Sequence, residues 1–341
     1  MTTLIDDAVT EDALDRHAAA LFASQCDRSP LYARYAGGDT IVTGWRTVPA
    51  LPVAAFREPT LGPSADQAVA EFRTSGTTSA GARPGLHRFD AEGLARYRQG
   101  ALWHFARTVL AGLTRATFVS LIPDARSSPD SSLSRMVTWV VEAYGSGRDV
   151  FDPTGESLER RDGPIVLLGT AFTLANVFET HPGLRLHPET RVMETGGFKG
   201  RRRELSRAAL WSLYAAAGIA PENVIGEYGM TELSSQWYDA VAGLGGHDPE
   251  ARVYAPPPWA RSRVVAPSTL SDVAMGDTGL IWLYDALNVG SVQAVLTEDL
   301  GVRRPTARPG LDGFTFVGRA SGATLRGCSL RFDGASHGAH A

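Results

Sequence analysis

Two short stretches of the chain hold residue types able to grip a polyanion. Thr74-Ser-Gly-Thr-Thr78 sets hydroxyls around a glycine, so that backbone N–H groups and side-chain donors can surround phosphate oxygens. Glu227-Tyr-Gly-Met-Thr-Glu232, far downstream, ends in a carboxylate that can serve Mg²⁺ as a hard oxygen ligand. Between them, Gly196-Gly-Phe-Lys-Gly200 carries Lys199, the one lysine among 33 basic residues. An ammonium is a compact cation suited to neutralising phosphate charge. Taken in this order, the three stretches point to chemistry on ATP. Each alone has a plainer reading: a polar surface loop at 74–78, a helix-start carboxylate at Glu232, and a lysine left over from an arginine-rich coding bias. The loop is not a Walker A element, because the Gly-Lys-Ser/Thr ending is missing.

Composition narrows the class of protein. The 341 residues suffice for one large core or two lobes. A hydrophobic share of 43% with 21% charged residues is a globular balance. Net charge is −4 and only Arg201-Arg-Arg203 forms a basic cluster, so electrostatics offers no case for a nucleic-acid partner. The N-terminal residues carry acids and no apolar core, unlike a signal peptide. No apolar run reaches the roughly 18 residues of a membrane span. Cys26 and Cys328 form no spaced pair, which fits a reducing, cytoplasmic setting and excludes a Cys-type metal site.

The elements that must position these residues alternate through the middle of the chain. Helices are expected at 9–25 and 30–36, followed by a proline-rich surface stretch over 40–65. A helix is expected from Asp90, its N-cap, to Leu110. Strands at 117–122, 165–168, 191–194 and 224–228 then alternate with helices at 131–144, 171–179 and 202–217. Such alternation predicts an α/β fold with a largely parallel sheet covered on both faces. Ligands of such sheets bind at strand carboxyl ends, and Gly196-Gly-Phe-Lys and Gly229-Met-Thr-Glu each follow a strand directly. Past Pro256-Pro-Pro258, β-like runs at 280–284 and 291–296 predict a smaller β-rich lobe. The expected division is 1–250 for the α/β domain and 251–341 for the lobe, with a frayed tail from Gly334.

The run around Thr74 resembles the phosphate loop of the acyl-adenylate-forming superfamily, which includes acyl-CoA synthetases and peptide-synthetase adenylation domains. Tyr228-Gly-Met-Thr-Glu232 matches that superfamily's Tyr-Gly-x-Thr-Glu motif. Leu296-Thr-Glu-Asp-Leu-Gly301 resembles its ribose-binding segment, and Gly318-Arg-Ala-Ser-Gly-Ala-Thr-Leu-Arg-Gly327 its hinge. The Gly-Gly-Phe-Lys element and Arg326-Gly-Cys-Ser-Leu330 look most like the acyl-protein synthetase (LuxE-type) branch, with phenylacetate-CoA ligase next. The resemblance implies a mixed, mainly parallel sheet in a large domain, with ATP and Mg²⁺ as nucleotide and ion. Thr74, Ser75, Gly76, Thr77 and Thr78 would grip the β- and γ-phosphates, and Gly196 and Gly197 would border adenine and the acyl pocket. Tyr228 would lie against adenine, Thr231 would contact the α-phosphate, Glu232 would hold Mg²⁺ and Asp299 the ribose. Arg319, in the hinge segment, joins the nucleotide-binding set.

The family's mobile C-terminal domain, with its catalytic lysine, is expected to be absent or vestigial here. Lys199 is then the ammonium available to the reaction. Cys328 has two readings: an acyl acceptor, as in acyl-protein synthetases, or a buried small hydrophobe. Cys26 reads as core filler. His104 packs or caps near the pocket, with catalysis the minor reading. Trp103, Phe105, Phe172, Phe178 and Trp237 are core, some lining the acyl pocket. Activation of a carboxylic acid to acyl-AMP, then transfer to a thiol, is the expected function. The acceptor would be Cys328, a partner or carrier protein, CoA or an amine. The rivals are a CoA or amide ligase and a non-catalytic adenylate- or acyl-binding module. Lys199→Ala is expected to slow adenylation on the order of 10²-fold with the fold intact, and Lys199→Arg less so. Pyrophosphate exchange near the wild-type rate in the alanine variant would remove Lys199 from the reaction.

Overall fold

The computed structural model describes residues 4–6, 9–58, 61–74, 84–196 and 205–320. Gly197, Lys199, Ser75, Gly76, Thr77, Thr78 and Cys328 lie outside these residues. The strands are β1 Leu51–Pro52, β2 Ala70–Arg73, β3 Leu86–Phe89, β4 Phe118–Ser120, β5 Val150–Phe151, β6 Val166–Thr170 and β7 Arg191–Thr195. They continue with β8 Val224–Tyr228, β9 Trp237–Tyr238, β10 Ala260–Val265, β11 Thr278–Asp285, β12 Ala294–Pro305 and β13 Asp312–Arg319. The α-helices are α1 Glu11–Arg28, α2 Pro30–Ala36, α3 Ala91–Thr108, α4 Ser132–Tyr144, α5 Ala171–Thr180 and α6 Arg207–Ala216. None of them is long and apolar enough to cross a membrane.

The chain divides into two compact units. One takes the described residues of 101–230 and 236–254; the other takes those of 1–100, 231–235 and 255–341. This corrects the expected partition at 250/251, which put the first hundred residues with the α/β domain. They group instead with the C-terminal strands, because β1 pairs in parallel with β12 at Val295 and Leu296. Side chains of α1 reinforce that pairing. Gln25 Nε2 donates to the Asn288 carbonyl at 2.9 Å, and Gln293 Nε2 donates to the Ala18 carbonyl at 2.9 Å. Local periodicity cannot foresee backbone pairing between segments so distant in sequence.

The 101–254 unit is the expected α/β layer. Its sheet runs in the order β5-β4-β6-β7-β8-β9, parallel throughout except for the antiparallel edge β9. Strand β6 is a continuous apolar run, as befits a strand covered on both faces. Val119, Leu167, Val192 and Val224 from four strands join Leu174, Phe178, Leu210 and Tyr214 from α5 and α6 in one buried cluster. Local chemistry starts the helices where hydroxyls can satisfy the first N–H groups. Ser131 caps α4, Thr170 caps α5 in a reciprocal pair with Thr173, and Ser206 caps α6. Helix α6 therefore begins at Arg207 rather than at the expected Arg202.

The other unit holds a five-stranded sheet in the order β1-β12-β11-β10, with β13 also on β12, and the separate β2–β3 pair. The long strand β12 meets β1 along its first half and β13 along its second. Asp90 caps α3 as expected, its Oδ1 accepting from the Gly93 N–H at 2.7 Å. The 40–65 stretch departs from the expected surface wrap, because Trp45, Leu51, Ala55 and Phe56 are all buried.

Candidate functional site

The segment Thr231–Ser235, which closes the Tyr-Gly-Met-Thr-Glu stretch, is anchored at four of its five residues by buried polar groups of its own unit. The Thr231 carbonyl accepts from His87 Nδ1 at 2.6 Å, and the Glu232 carbonyl accepts from Asn288 Nδ2 at 2.8 Å. The Ser234 N–H donates to Asp285 Oδ2 at 2.8 Å, and the Ser235 hydroxyl donates to Asp285 Oδ1 at 2.8 Å. The anchors are themselves held. Asn288 Nδ2 also donates to the Val292 carbonyl, the Leu287 N–H donates to Asp285 Oδ1, and Trp259 Nε1 donates to Ser235 Oγ.

A carbonyl can only accept, so the His87–Thr231 contact fixes the histidine as the Nδ1–H tautomer. Nε2 then accepts from the Ser291 hydroxyl at 2.9 Å. Burial pushes the His87 imidazole down to about 4, against the upward pull of the Thr231 carbonyl, and so keeps it neutral. Burial pushes the Asp285 carboxyl up to about 6, with the donors from Ser235, Ser234 and Leu287 opposing it. The outcome is a carboxylate-bearing residue, Glu232, only 6% exposed on a backbone that cannot easily shift.

Two further sequence-predicted positions turn out to be cross-strand neighbours in this unit. Asp299 on β12 lies opposite Arg319 on β13, with Nε of Arg319 3.6 Å from Oδ1 of Asp299. The ribose-type and hinge-type segments thus meet at Arg319, which also lies 4.0 Å from the Glu298 carboxylate. The Asp299 N–H donates to Thr297 Oγ1 at 3.1 Å, and the Thr297 hydroxyl donates to the Ile281 carbonyl of β11. Thr74 closes the base of the hydroxyl-rich loop. Its N–H donates to the Gly85 carbonyl at 2.9 Å, and its hydroxyl oxygen accepts from the Gly85 N–H at 2.7 Å.

In the α/β unit, Gly196 and Tyr228 stand at the carboxyl ends of adjacent parallel strands. Thr195 and Glu227 form the last rung between β7 and β8. The Thr195 hydroxyl donates to the buried Glu227 carboxyl, which burial pushes up to about 7 against that hydrogen bond. The next residues are open to solvent: Gly196 at a φ of 66°, and Gly229. A Cβ at position 229 would crowd Glu227 Oε1, so a side chain there would require the Glu227 carboxyl to shift. The Tyr228 ring sits 5.9 Å from that of Tyr254.

Behind these strand ends lies a buried charge cluster. Glu194 accepts from Arg207 Nε at 2.8 Å and from the Tyr214 hydroxyl at 3.1 Å. Arg207 also reaches Asp239, which accepts from the Gly226 N–H at 2.7 Å and pairs with Arg252. His104 belongs to the packing of this unit. Its Nδ1 lies 3.1 Å from the Gln236 carbonyl, its ring packs edge-on to Tyr238, and burial pushes it down to about 3. Phe105, Phe178 and Trp237 are core, whereas Trp103 is half-buried beneath the Arg107 guanidinium at 3.7 Å.

Sequence reasoning missed His87, Asp285, Asn288 and Ser291, and it missed Glu227 as a chemical group. Asp285 and Asn288 did carry a faint signal, since a polar pair ending an apolar strand is unusual unless it is satisfied. His87 carried none, because its partner Thr231 is distant in the chain.

No family model matches the sequence. The long-chain-fatty-acid–luciferin-component ligase of Aliivibrio fischeri is 33% identical over 78 residues, 22% of this chain, and the match spans 20% of that relative's length. An open-conformation 2-hydroxyisobutyryl-CoA ligase in complex with 2-HIB-AMP and CoA superposes with a TM-score of 0.66 at 14% identity, over 91% of this chain and 74% of its own. ATP-bound MatB from Rhodopseudomonas palustris gives 0.52 at 20% identity, over 75% and 49%. The chain shares the fold of these ligases. Its local sequence match is to the luciferin-component ligase.

His87→Phe fills similar space but leaves the Thr231 carbonyl and the Ser291 hydroxyl without their ring partner, at a cost of roughly 1–3 kcal/mol. The folded chain holds this imidazole neutral down to about 4, whereas the unfolded one protonates near 6.5. Stability from this group is therefore complete above 6.5 and is lost as pH falls towards 4. Denaturation midpoints at several pH values should show a shallower acid limb in His87→Phe than in the wild type. Parallel limbs would mean that His87 is not held neutral.

Proposed function

We propose that this chain is an ATP-dependent enzyme that activates a carboxylic acid as acyl-AMP, releases pyrophosphate, and passes the acyl group to a thiol. The observation that carries this reading is the four-point anchoring of Thr231–Ser235. Its buried polar groups are satisfied as any fold requires, and the partners that satisfy them also fix the backbone on both sides of Glu232. In the first step a carboxylate oxygen of the acid attacks the α-phosphorus of ATP. The bond to the bridging oxygen breaks, and pyrophosphate leaves. In the second step a thiolate attacks the acyl carbon, and AMP leaves with the electron pair of the broken bond.

Both partners of the first step are anions, so the protein must supply position and compensating charge. Thr74 with Ser75, Gly76, Thr77 and Thr78 would hold the outer phosphates, and Thr231 the α-phosphate. Asp299 would accept from ribose hydroxyls, with Arg319 offsetting its charge. Tyr228, Gly196 and Gly197 would border the base and the acid, and Lys199 would offer its ammonium to phosphate or carboxylate. Glu232 fits a hard cation: it supplies an anionic oxygen from a backbone fixed on both sides, and it would hold Mg²⁺. When bound, Mg²⁺ neutralises phosphate charge.

The match to a luciferin-component ligase favours a protein thiol as acceptor, with Cys328 the candidate within the chain. CoA, a carrier protein or an amine is the alternative, favoured by the likeness to a CoA ligase. The reducing setting implied by the cysteine usage suits thiol chemistry and a cytoplasmic enzyme. A binding module without catalysis is the remaining reading.

Pyrophosphate release with a panel of radiolabelled carboxylic acids separates these readings. At least one acid should give ATP- and Mg²⁺-dependent release, and Glu232→Gln should shift the Mg²⁺ titration strongly while leaving thermal stability nearly unchanged. No release with any acid would leave the binding module. Label retained on the protein, released by neutral hydroxylamine and absent in Cys328→Ser, identifies an acyl-thioester at Cys328. Acyl-AMP formed without protein labelling assigns the acceptor to CoA, a carrier protein or an amine.

A further inference from the structure

We propose that Glu227 is a positioning residue, a carboxyl latch that ties the end of β7 to the Tyr228–Gly229 turn and, when ionised, sets the adenylation-competent arrangement of both strand ends. The inference rests on the adenylate-forming reading above and adds a residue and a pH control to it.

Three observations support it. Thr195 and Glu227 are partners on the last rung between β7 and β8, and the Thr195 hydroxyl donates to the Glu227 carboxyl. Beyond that rung the chain enters the candidate binding segments, at Gly196 on one side and, past Tyr228 at the end of β8, at Gly229 on the other. The second carboxyl oxygen lies so close beneath Gly229 that a Cβ there would sit 2.3 Å from it. The carboxyl thus links the last rung of β7 to the backbone at Gly229. A change in its charge or hydrogen bonding must be taken up by the Thr195 side or by the Tyr228–Gly229 side.

The surroundings leave Glu227 to titrate by itself. Tyr238 faces it from β9, and Tyr254 lies close enough to feel its charge. Of the charged groups nearby, Glu194, on the neighbouring position of β7, and Asp239, beyond β9, are satisfied by Arg207, and Arg252 is paired to Asp239. Thr195 is its hydrogen-bond donor among the described residues. Burial pushes the carboxyl from 4.5 to about 7, so its charge changes near neutral pH. The ionised form receives a charge-assisted bond from Thr195, stronger than the neutral form can offer. The latch is therefore closed above about 7 and slack below it.

Ionisation in a buried setting has the opposite effect on stability. The folded chain keeps this proton up to about 7, whereas the unfolded chain releases it near 4.5, so stability from this group declines as pH rises through that window. Activity and stability should run in opposite directions across the same pH range. A residue with a purely structural role would move only stability.

The test measures kcat/KM for ATP in pyrophosphate release, together with the melting temperature, from pH 5.5 to 8.5, for wild type, Glu227→Gln and Thr195→Val. In the wild type, kcat/KM should rise through an inflection near pH 7 while the melting temperature falls. Glu227→Gln keeps the shape and removes the charge, so both dependences should flatten. Its kcat/KM at pH 8 should drop about tenfold. Thr195→Val should lower kcat/KM by a similar factor and move the inflection upward, because the ionised carboxyl loses its donor. An active wild type whose inflection persists in Glu227→Gln overturns the latch and leaves the adenylation reading standing. A wild type that releases no pyrophosphate with any acid overturns the adenylation reading and the latch with it.

Discussion

The buried turn from Asp285 to Asn288 is the constraint on which the first unit's candidate site depends. Asp285 ends β11 and Asn288 follows three residues later, and together they take hold of Glu232, Ser234 and Ser235 through one carboxylate and one amide. Neither residue is exposed to any useful extent. A buried carboxylate with only partial satisfaction would cost more than it gives, so the network stabilises the fold only when every donor is in place. That all-or-none character turns a stability problem into a positioning device. The segment bearing Thr231 and Glu232 has one arrangement in which Asp285, Asn288 and His87 are all satisfied.

The α/β unit solves a parallel problem with ion pairs. Glu194 and Asp239 flank Arg207, and Arg252 completes the group over the Trp211 ring at 4.8 Å. Such clusters contribute little net stability against an apolar replacement, yet removing one member costs roughly 3–5 kcal/mol because a buried charge is left alone. Here the cluster joins β7, β8, the residues after β9 and the first residue of α6. The spacing of the strand ends that carry Gly196 and Tyr228 is set from beneath by charge, and at the last rung by the Thr195–Glu227 bond.

The parts of this molecule legible in its sequence are those governed by local rules. The Asp90 cap, the apolar run of β6, and the glycines after β7 and β8 follow from neighbours a few residues away. The parallel sheet and the placement of Gly196 and Tyr228 at its carboxyl edge follow from them. What was not legible depends on distant partners. Leu51 and Pro52 read as surface chain until Val295 and Leu296 are known to lie beside them. His87 looks like any strand histidine until its ring is seen against Thr231, 144 positions away. Glu227 looked like a spacer in the Tyr-Gly-Met-Thr-Glu stretch, and only burial turns it into a titratable group. Lys199 and Cys328, the sharpest sequence signals, lie outside the described residues.

The pairing of β1 with β12 also governs how the protein is made. The first unit is assembled from both ends of the chain, with the α/β unit inserted between residues 100 and 255. During synthesis, at about 5–20 residues per second, β1 waits on the order of ten seconds or more for the strand it will pair with. Through that interval the apolar face of α1, with Leu14, Ala18, Leu21 and Phe22, has no finished sheet to cover it. The inserted unit, contiguous but for five residues, can fold while the N-terminal segment remains open. The β1 edge and the sheet beside α1 are therefore complete only once β12 has been made.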